Sequence, residues 1–294
     1  MRKRHIRIKE FGAEGVRIMR PTPEYLELTN GTLPDTDYTI TTDADGFVCD
    51  PDADADPARA PGAARPLYVL GDSLVESAFV PQGQRVADRI GQGLAARGIA
   101  RRVLNGGYSG STSLNLFDTI INKIGPREGA AVLHVLPSND VLSMRDDDGF
   151  WNMGSQRYSP ILPARKAPLE PAAPWHPSPA QLRMTLKAMA RTADAFGIHL
   201  FFATTPYVRR GYERLPWYRK RHTDGGESYD ALIASRSANN TILREVAGLC
   251  RVPLVDLEVA MGDPRHFYDD LHLNTEGSQA MADIVVETFG PALG

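Results

Sequence analysis

Ser73 sits just after the apolar run Leu67-Tyr68-Val69-Leu70, within Gly71-Asp72-Ser73-Leu74. At a strand-to-helix turn a serine Oγ is exposed, with free N–H groups of the helix beside it, a setting in which a hydroxyl can be made a nucleophile. The same residues also make an ordinary N-cap serine after a turn glycine. A second block, Asn105-Gly106-Gly107-Tyr108-Ser109-Gly110-Ser111-Thr112, follows the run Arg102-Val103-Leu104. Its glycines let backbone N–H groups approach a ligand closely, or simply make a tight loop. A third, Pro137-Ser138-Asn139-Asp140, follows Ala131 to Leu136. An asparagine amide there can donate to an oxyanion, or belong to a plain turn. The fourth is Asp269-Asp270-Leu271-His272, ahead of Leu273-Asn274-Thr275. Carboxylate and imidazole three residues apart can share one side, so that the acid orients the ring and stabilises its protonated form. Taken singly, such an Asp/His pair is also a common surface feature.

Each block follows or precedes an element that has to hold it. Five short apolar runs read as strands: 67–70, 102–104, 131–136, 199–203 and 252–256. Helical patterns lie between them. They run from Arg85 to Arg97 before Gly98, from Ser113 to Ile124 before Gly125, from Ser178-Pro179 to Gly197, from about Ser228 to Leu249, and from Thr275 to near Gly290. Strands that are almost continuously apolar and alternate with helices imply a mostly parallel five-stranded sheet covered on both faces, an α/β/α doubly wound sandwich. Such folds build sites at the carboxyl ends of their strands, where these blocks fall. Residues 1–66 read as an N-terminal extension and 67–294 as one domain. Within the extension, Tyr38-Thr39-Ile40-Thr41-Thr42 suits one or two short strands. Residues 43–66, crowded with Asp and Pro, read as a linker or surface strap.

In order and residue type the four blocks resemble the SGNH hydrolases, the GDSL-type esterases and lipases. The resemblance spans roughly 67–290 and implies a flavodoxin-like fold. It also implies a catalytic triad of Ser73, His272 and Asp269, with an oxyanion hole from the N–H groups of Ser73 and Gly110 and the side chain of Asn139. The family's spacing favours Asp269 over the adjacent Asp270 as third member. One departure stands out: Pro137 occupies the position that is usually glycine in the third block, where it can reshape the turn that aims Asn139.

Composition narrows the alternatives. The 294 residues, 42% hydrophobic and 23% charged, are those of an ordinary folded chain, which excludes wholesale disorder. A net charge of -3 gives no basic field for nucleic acid, and no apolar run reaches the ~18 residues of a membrane helix. Cys49 and Cys250 make neither a disulfide scaffold nor a metal site. The basic start Met1 to Glu10 lacks an apolar region behind it, so the expected compartment is the cytoplasm. No cofactor or metal is expected.

Two long segments are expected to shape specificity. Val141 to about Pro177, with Phe150, Trp151, Tyr158, Trp175 and His176, reads as a lid or as a static loop with its aromatics in the core. Thr205 to His222 interleaves aromatic and basic side chains. That suits a sugar with a carboxylate or phosphate, and also RNA, a solvated loop or an oligomer contact. Asp72, Trp151, Tyr207, Arg209 and Arg210 are the candidate substrate contacts, while His222 and His266 read as surface residues. The leading expectation is a serine esterase that removes a small acyl group, such as acetyl, from a carbohydrate or small metabolite. An acyltransferase with the same triad and a non-catalytic binding module on the same fold are the alternatives.

Overall fold

The structure is a computed structural model that describes residues 5–51, 65–127, 129–144, 149–151, 158–162, 179–223 and 228–294. Ten strands form among these residues: β1 (His5–Ile6), β2 (Val16–Met19), β3 (Tyr38–Thr42), β4 (Val48–Cys49), β5 (Leu67–Gly71), β6 (Val103–Gly107), β7 (Ala131–Val135), β8 (Ile161–Leu162), β9 (His199–Ala203) and β10 (Leu254–Val255). The five runs read as strands become β5, β6, β7, β9 and β10. They pair in parallel in the order β6-β5-β7-β9-β10. In chain order that is 2-1-3-4-5, the doubly wound arrangement, whose direction reverses between β5 and β7. A crevice opens above that reversal, so the loops after β5, β6 and β7 face one another.

The sheet has eight strands, not five. The N-terminal segment adds β4, β3 and β2 in antiparallel order beyond β6. Tyr38, Ile40 and Thr42 of β3 are buried and alternate with half-buried threonines. A threonine-rich strand carries this period-2 signal weakly, which is why the added width is hard to read from sequence. The physical gain is plain: β6 would otherwise present an unpaired edge. β1 pairs separately with β8.

Two apolar layers hold the sheet. Leu67 and Val69 of β5 pack into one, Tyr68 and Leu70 into the other. Helices Val86–Ala96 and Thr275–Leu293 cover the first; Ser113–Thr119, Pro179–Ala195 and Tyr229–Cys250 cover the second. Since both faces are buried, β5 and β7 are buried at every position. The pattern from Ser113 to Ile124 is α-helical to Thr119 and then widens into a π turn. The last helix outruns its expected end near Gly290 despite Pro291, because buried Phe289 and Leu293 fix its final turn. The segment expected to be a linker or surface strap enters the sheet at Val48–Cys49, where Phe47 and Val48 are buried, while residues 52–64, 145–148, 152–157 and 163–178, with Trp175 and His176, lie outside the described residues. No described helix is long and apolar enough to cross a membrane.

Candidate active site

β5 ends at Gly71, and Asp72 caps the short helix Ser73–Glu76, its Oδ1 accepting from the Leu74 N–H at 3.1 Å. β6 runs close beneath this turn. A Cβ at Gly107 would lie 2.2 Å from the Glu76 nitrogen, so only glycine permits the approach. Ser73 Oγ is 2.8 Å from His272 Nε2. His272 Nδ1 is 2.8 Å from Asp269 Oδ2. The carboxylate can only accept, so Nδ1 carries the proton and Nε2 is left to accept from the serine hydroxyl. The second oxygen, Oδ1, accepts the N–H groups of Leu271 at 2.9 Å and His272 at 2.7 Å, which locks the carboxylate in place. The Tyr268 ring stacks on the His272 imidazole, centroids 5.6 Å apart and 7° from parallel.

Burial alone would raise the Asp269 pKa. The charge and hydrogen bond of His272, then Arg221 and the His272 N–H, outweigh it and hold the carboxyl well below its usual range. For His272, burial pulls downward, but the charge and bond of Asp269, with Asp270 and Asp72 behind them, raise the imidazole above its ordinary value.

Gly110 has φ +82°, in the left-handed region that favours glycine, and its carbonyl accepts from the buried Lys9 ammonium. The adjacent Ser109 N–H donates to the Glu76 carboxylate. Asn139 begins the helix Asn139–Ser143 after β7. The turn that carries it closes through the Asp140 N–H, which donates to the Pro137 carbonyl at 3.2 Å. Asn139 Nδ2 donates to Asp72 Oδ2 at 3.0 Å and to the Ser111 carbonyl at 3.2 Å, and its backbone N–H reaches the same Asp72 oxygen at 3.3 Å. Behind it, burial pushes Asp140 up to about 7 while the Ser113 N–H and hydroxyl, at 2.8 and 2.6 Å, pull the other way.

Ser73, Asn139 and His272 open onto a cavity of about 390 Å³. Tyr25, Phe79 and Tyr268 make an aromatic wall, Leu142 and Leu232 an aliphatic one, and Arg221 and Arg236 a cationic end. Asp269 lies buried behind His272. Asp270 is held instead by Arg221 at 2.6 Å and Arg236 at 2.7 Å.

The candidate substrate contacts fare differently. Asp72 is buried beneath the site, where it anchors Asn139. Trp151 is exposed and does not line the cavity. Tyr207 is buried in the core with its hydroxyl on Glu258. Arg209 and Arg210 line a separate cavity with Arg265 and His266. The cause lies in the path after β9: the N–H groups of Val208 and Arg209 bond to the Asp270 and Gly262 carbonyls, which turns Tyr207 inward and the arginines away. His222 and His266 are half-buried, not surface residues. His222 packs against the buried Trp217 and Tyr229, at 6.1 and 5.0 Å between centroids. Sequence reasoning missed Arg236, Phe79, Tyr268 and, in the extension, Tyr25. Arg221 does lie in the basic stretch it singled out.

A family model, GDSL-like Lipase/Acylhydrolase family, matches residues 69–280. No curated protein matches the sequence. Among solved structures, LAE5, an alpha/beta hydrolase enzyme from the metagenome of Lake Arreo in Spain, aligns with TM-score 0.54 at 18% identity over 79% of this chain and 98% of its own. Axe2, an acetylxylan esterase from Geobacillus stearothermophilus, aligns with TM-score 0.53 at 15% identity over 77% of this chain and 94% of its own. The acetyl xylan esterase AlAXEase gives TM-score 0.51 at 14% identity over 75% of this chain and 98% of its own. At such identities the likeness is one of fold.

Proposed function

The chain belongs to the GDSL-like lipase/acylhydrolase family, and from that premise we propose that it is a serine esterase that removes a small acyl group, such as acetyl, from a carbohydrate or small metabolite. Ser73 is the nucleophile. As its Oγ attacks the acyl carbonyl, its proton passes to His272 Nε2, and His272 then gives a proton to the leaving alcohol. Asp269 holds the Nδ1–H tautomer and stabilises the imidazolium. The oxyanion is met by the backbone N–H groups of Ser73 and Gly110 and by the Asn139 amide, which exchanges its longer bond to the Ser111 carbonyl for one to the substrate. Water then attacks the acyl-enzyme by the same route and frees Ser73.

The observation that carries this reading is the relay from Ser73 to His272 to Asp269, two contacts of 2.8 Å at the mouth of a cavity. Its size, about 390 Å³, suits a small ester. A sugar ring packs its apolar face on aromatic rings, which Tyr25, Phe79 and Tyr268 offer, while Arg221 supplies donors for hydroxyls.

The test is a panel of p-nitrophenyl esters from acetate to octanoate, run beside Ser73→Ala and His272→Ala. Short esters should be preferred, and each substitution should lower kcat by several orders of magnitude. A serine-reactive phosphonate should label Ser73 and inactivate the enzyme. Full activity in Ser73→Ala would overturn the assignment, and a preference for octanoate would overturn the small acyl pocket.

A further inference from the structure

We propose that Tyr25, which lies outside the family-matched region, is a positioning residue for Asp269 and through it tunes His272 as a base. The inference rests on the serine esterase reading above. Tyr25 sits on the short helix Pro23–Leu26, whose N-cap Thr22 accepts from the Tyr25 N–H at 3.2 Å. This segment is tied to the loop that carries Asp269 and His272. Asn30 donates from Nδ2 to the Phe267 carbonyl at 2.7 Å and from its backbone N–H to the Tyr268 carbonyl at 2.8 Å. The Tyr25 ring packs against Phe79 and Tyr268, at 5.4 and 6.5 Å between centroids. So held, its hydroxyl donates to Asp269 Oδ2 at 3.3 Å, the same oxygen that His272 Nδ1 uses.

The surroundings set the sign of the effect. Asp269 is faced by His272, Tyr25, the N–H groups of Leu271 and His272, and Arg221 Nη2 at 3.7 Å, with Arg236 and the phenols of Tyr229 and Tyr268 further off. His272 is faced by Ser73, Asp269 and the stacked Tyr268, with the charges of Asp270, Asp72 and Glu76 further off. A phenol that donates to Oδ2 withdraws charge from the atom that holds the imidazolium. Without it the carboxylate is more basic and His272 keeps its proton to higher pH.

The experiment compares wild type, Tyr25→Phe and Ser73→Ala by kcat/KM for p-nitrophenyl acetate across pH. Phenylalanine keeps the ring packing and removes only the donor. The acid limb of Tyr25→Phe should move up by about half a pH unit, with KM and melting temperature close to wild type. An NMR titration of the His272 ring in the Ser73→Ala background, with and without Tyr25→Phe, should show the same upward shift. A Tyr25→Phe profile that superimposes on wild type, or shifts downward, overturns the role of Tyr25 and leaves the esterase reading standing. Retained activity in Ser73→Ala overturns the esterase reading, and the role of Tyr25 with it.

Discussion

Replacing Asp72 by asparagine tests how Asn139, the proposed oxyanion donor, is aimed. The Asp72 carboxylate spends Oδ1 on the Leu74 N–H and Oδ2 on both the side chain and the backbone of Asn139. Asparagine has nearly the same shape. It can still accept from Leu74 through its carbonyl oxygen, which keeps the helix cap. Its NH₂ group then meets two donors on Asn139, so an attraction becomes a donor-to-donor clash. A hydrogen bond to a charged acceptor is worth about 1.5–3 kcal/mol, and one oxyanion donor about 2.7–4 kcal/mol, or 10²–10³ in kcat. Asp72→Asn acts through Asn139 and cannot cost more than the donor itself. It should lower kcat roughly 10–100-fold while KM changes little. Asn139→Ala should cost roughly 10²–10³. The assay is steady-state hydrolysis of p-nitrophenyl acetate by both single variants and the double variant. Because the two residues work as one unit, the double variant should be no slower than Asn139→Ala by more than about threefold. If the two losses multiply, Asp72 works independently of Asn139 and the reasoning is wrong.

Two further outcomes follow from the charges around the triad. In His272, burial is outweighed by Asp269, so the imidazole loses its proton only above the ordinary value of about 6.5. As a base it must be neutral, so kcat/KM should fall as pH drops through a midpoint above about 6.5, and Asp269→Asn should move that limb to lower pH while it cuts kcat by roughly 10³–10⁴. Arg236, 5% exposed, bonds to Asp270 and Ser138. Arg236→Met should lower thermal stability by about 3 kcal/mol by leaving the buried Asp270 carboxylate with Arg221 alone, and adding Asp270→Asn should recover part of the loss.

What was legible in the sequence was legible because two patterns agree. The five parallel strands are buried on both faces and read as apolar runs, and the residues with chemistry stand where those runs stop. Ser73, Asp269 and His272, far apart in the chain, therefore meet through hydrogen bonds, with Asn139 on the same cavity. Tyr25 was not legible, because nothing in Thr22-Pro23-Glu24-Tyr25 points to a partner more than two hundred residues away. The antiparallel strands were half visible, since Tyr38, Ile40 and Thr42 alternate but their threonine neighbours blur the contrast. The aromatic and basic stretch after β9 misled for a physical reason. Composition cannot separate rings that meet a ligand from rings that meet one another, and here Trp217, Tyr218, His222 and Tyr229 pack together. Of the arginines in that stretch, Arg221 reaches the cavity, while Arg209 and Arg210 follow a backbone that turns away.

The adjacent carboxylates Asp269 and Asp270 show how the fold resolves a choice that residue types leave open. Either acid could, by type, orient His272. In the structure Asp269 turns inward, with Oδ1 on two backbone N–H groups and Oδ2 on the imidazole. Asp270 faces the other way, between Arg221 and Arg236. Two uncompensated carboxylates side by side would repel, and the pair of arginines removes that cost while holding Asp270 away from the imidazole. Arg221 touches both acids, at 2.6 Å from Asp270 and 3.7 Å from Asp269. It thus tempers the same carboxylate that Tyr25 tempers from the opposite segment of the chain. A triad acid that carries a partial load from a phenol and a guanidinium binds the imidazolium less tightly than a bare carboxylate would. In the proposed esterase cycle, that lets His272 give up its proton to the leaving alcohol, the half of the cycle that an overly strong Asp–His pair would slow.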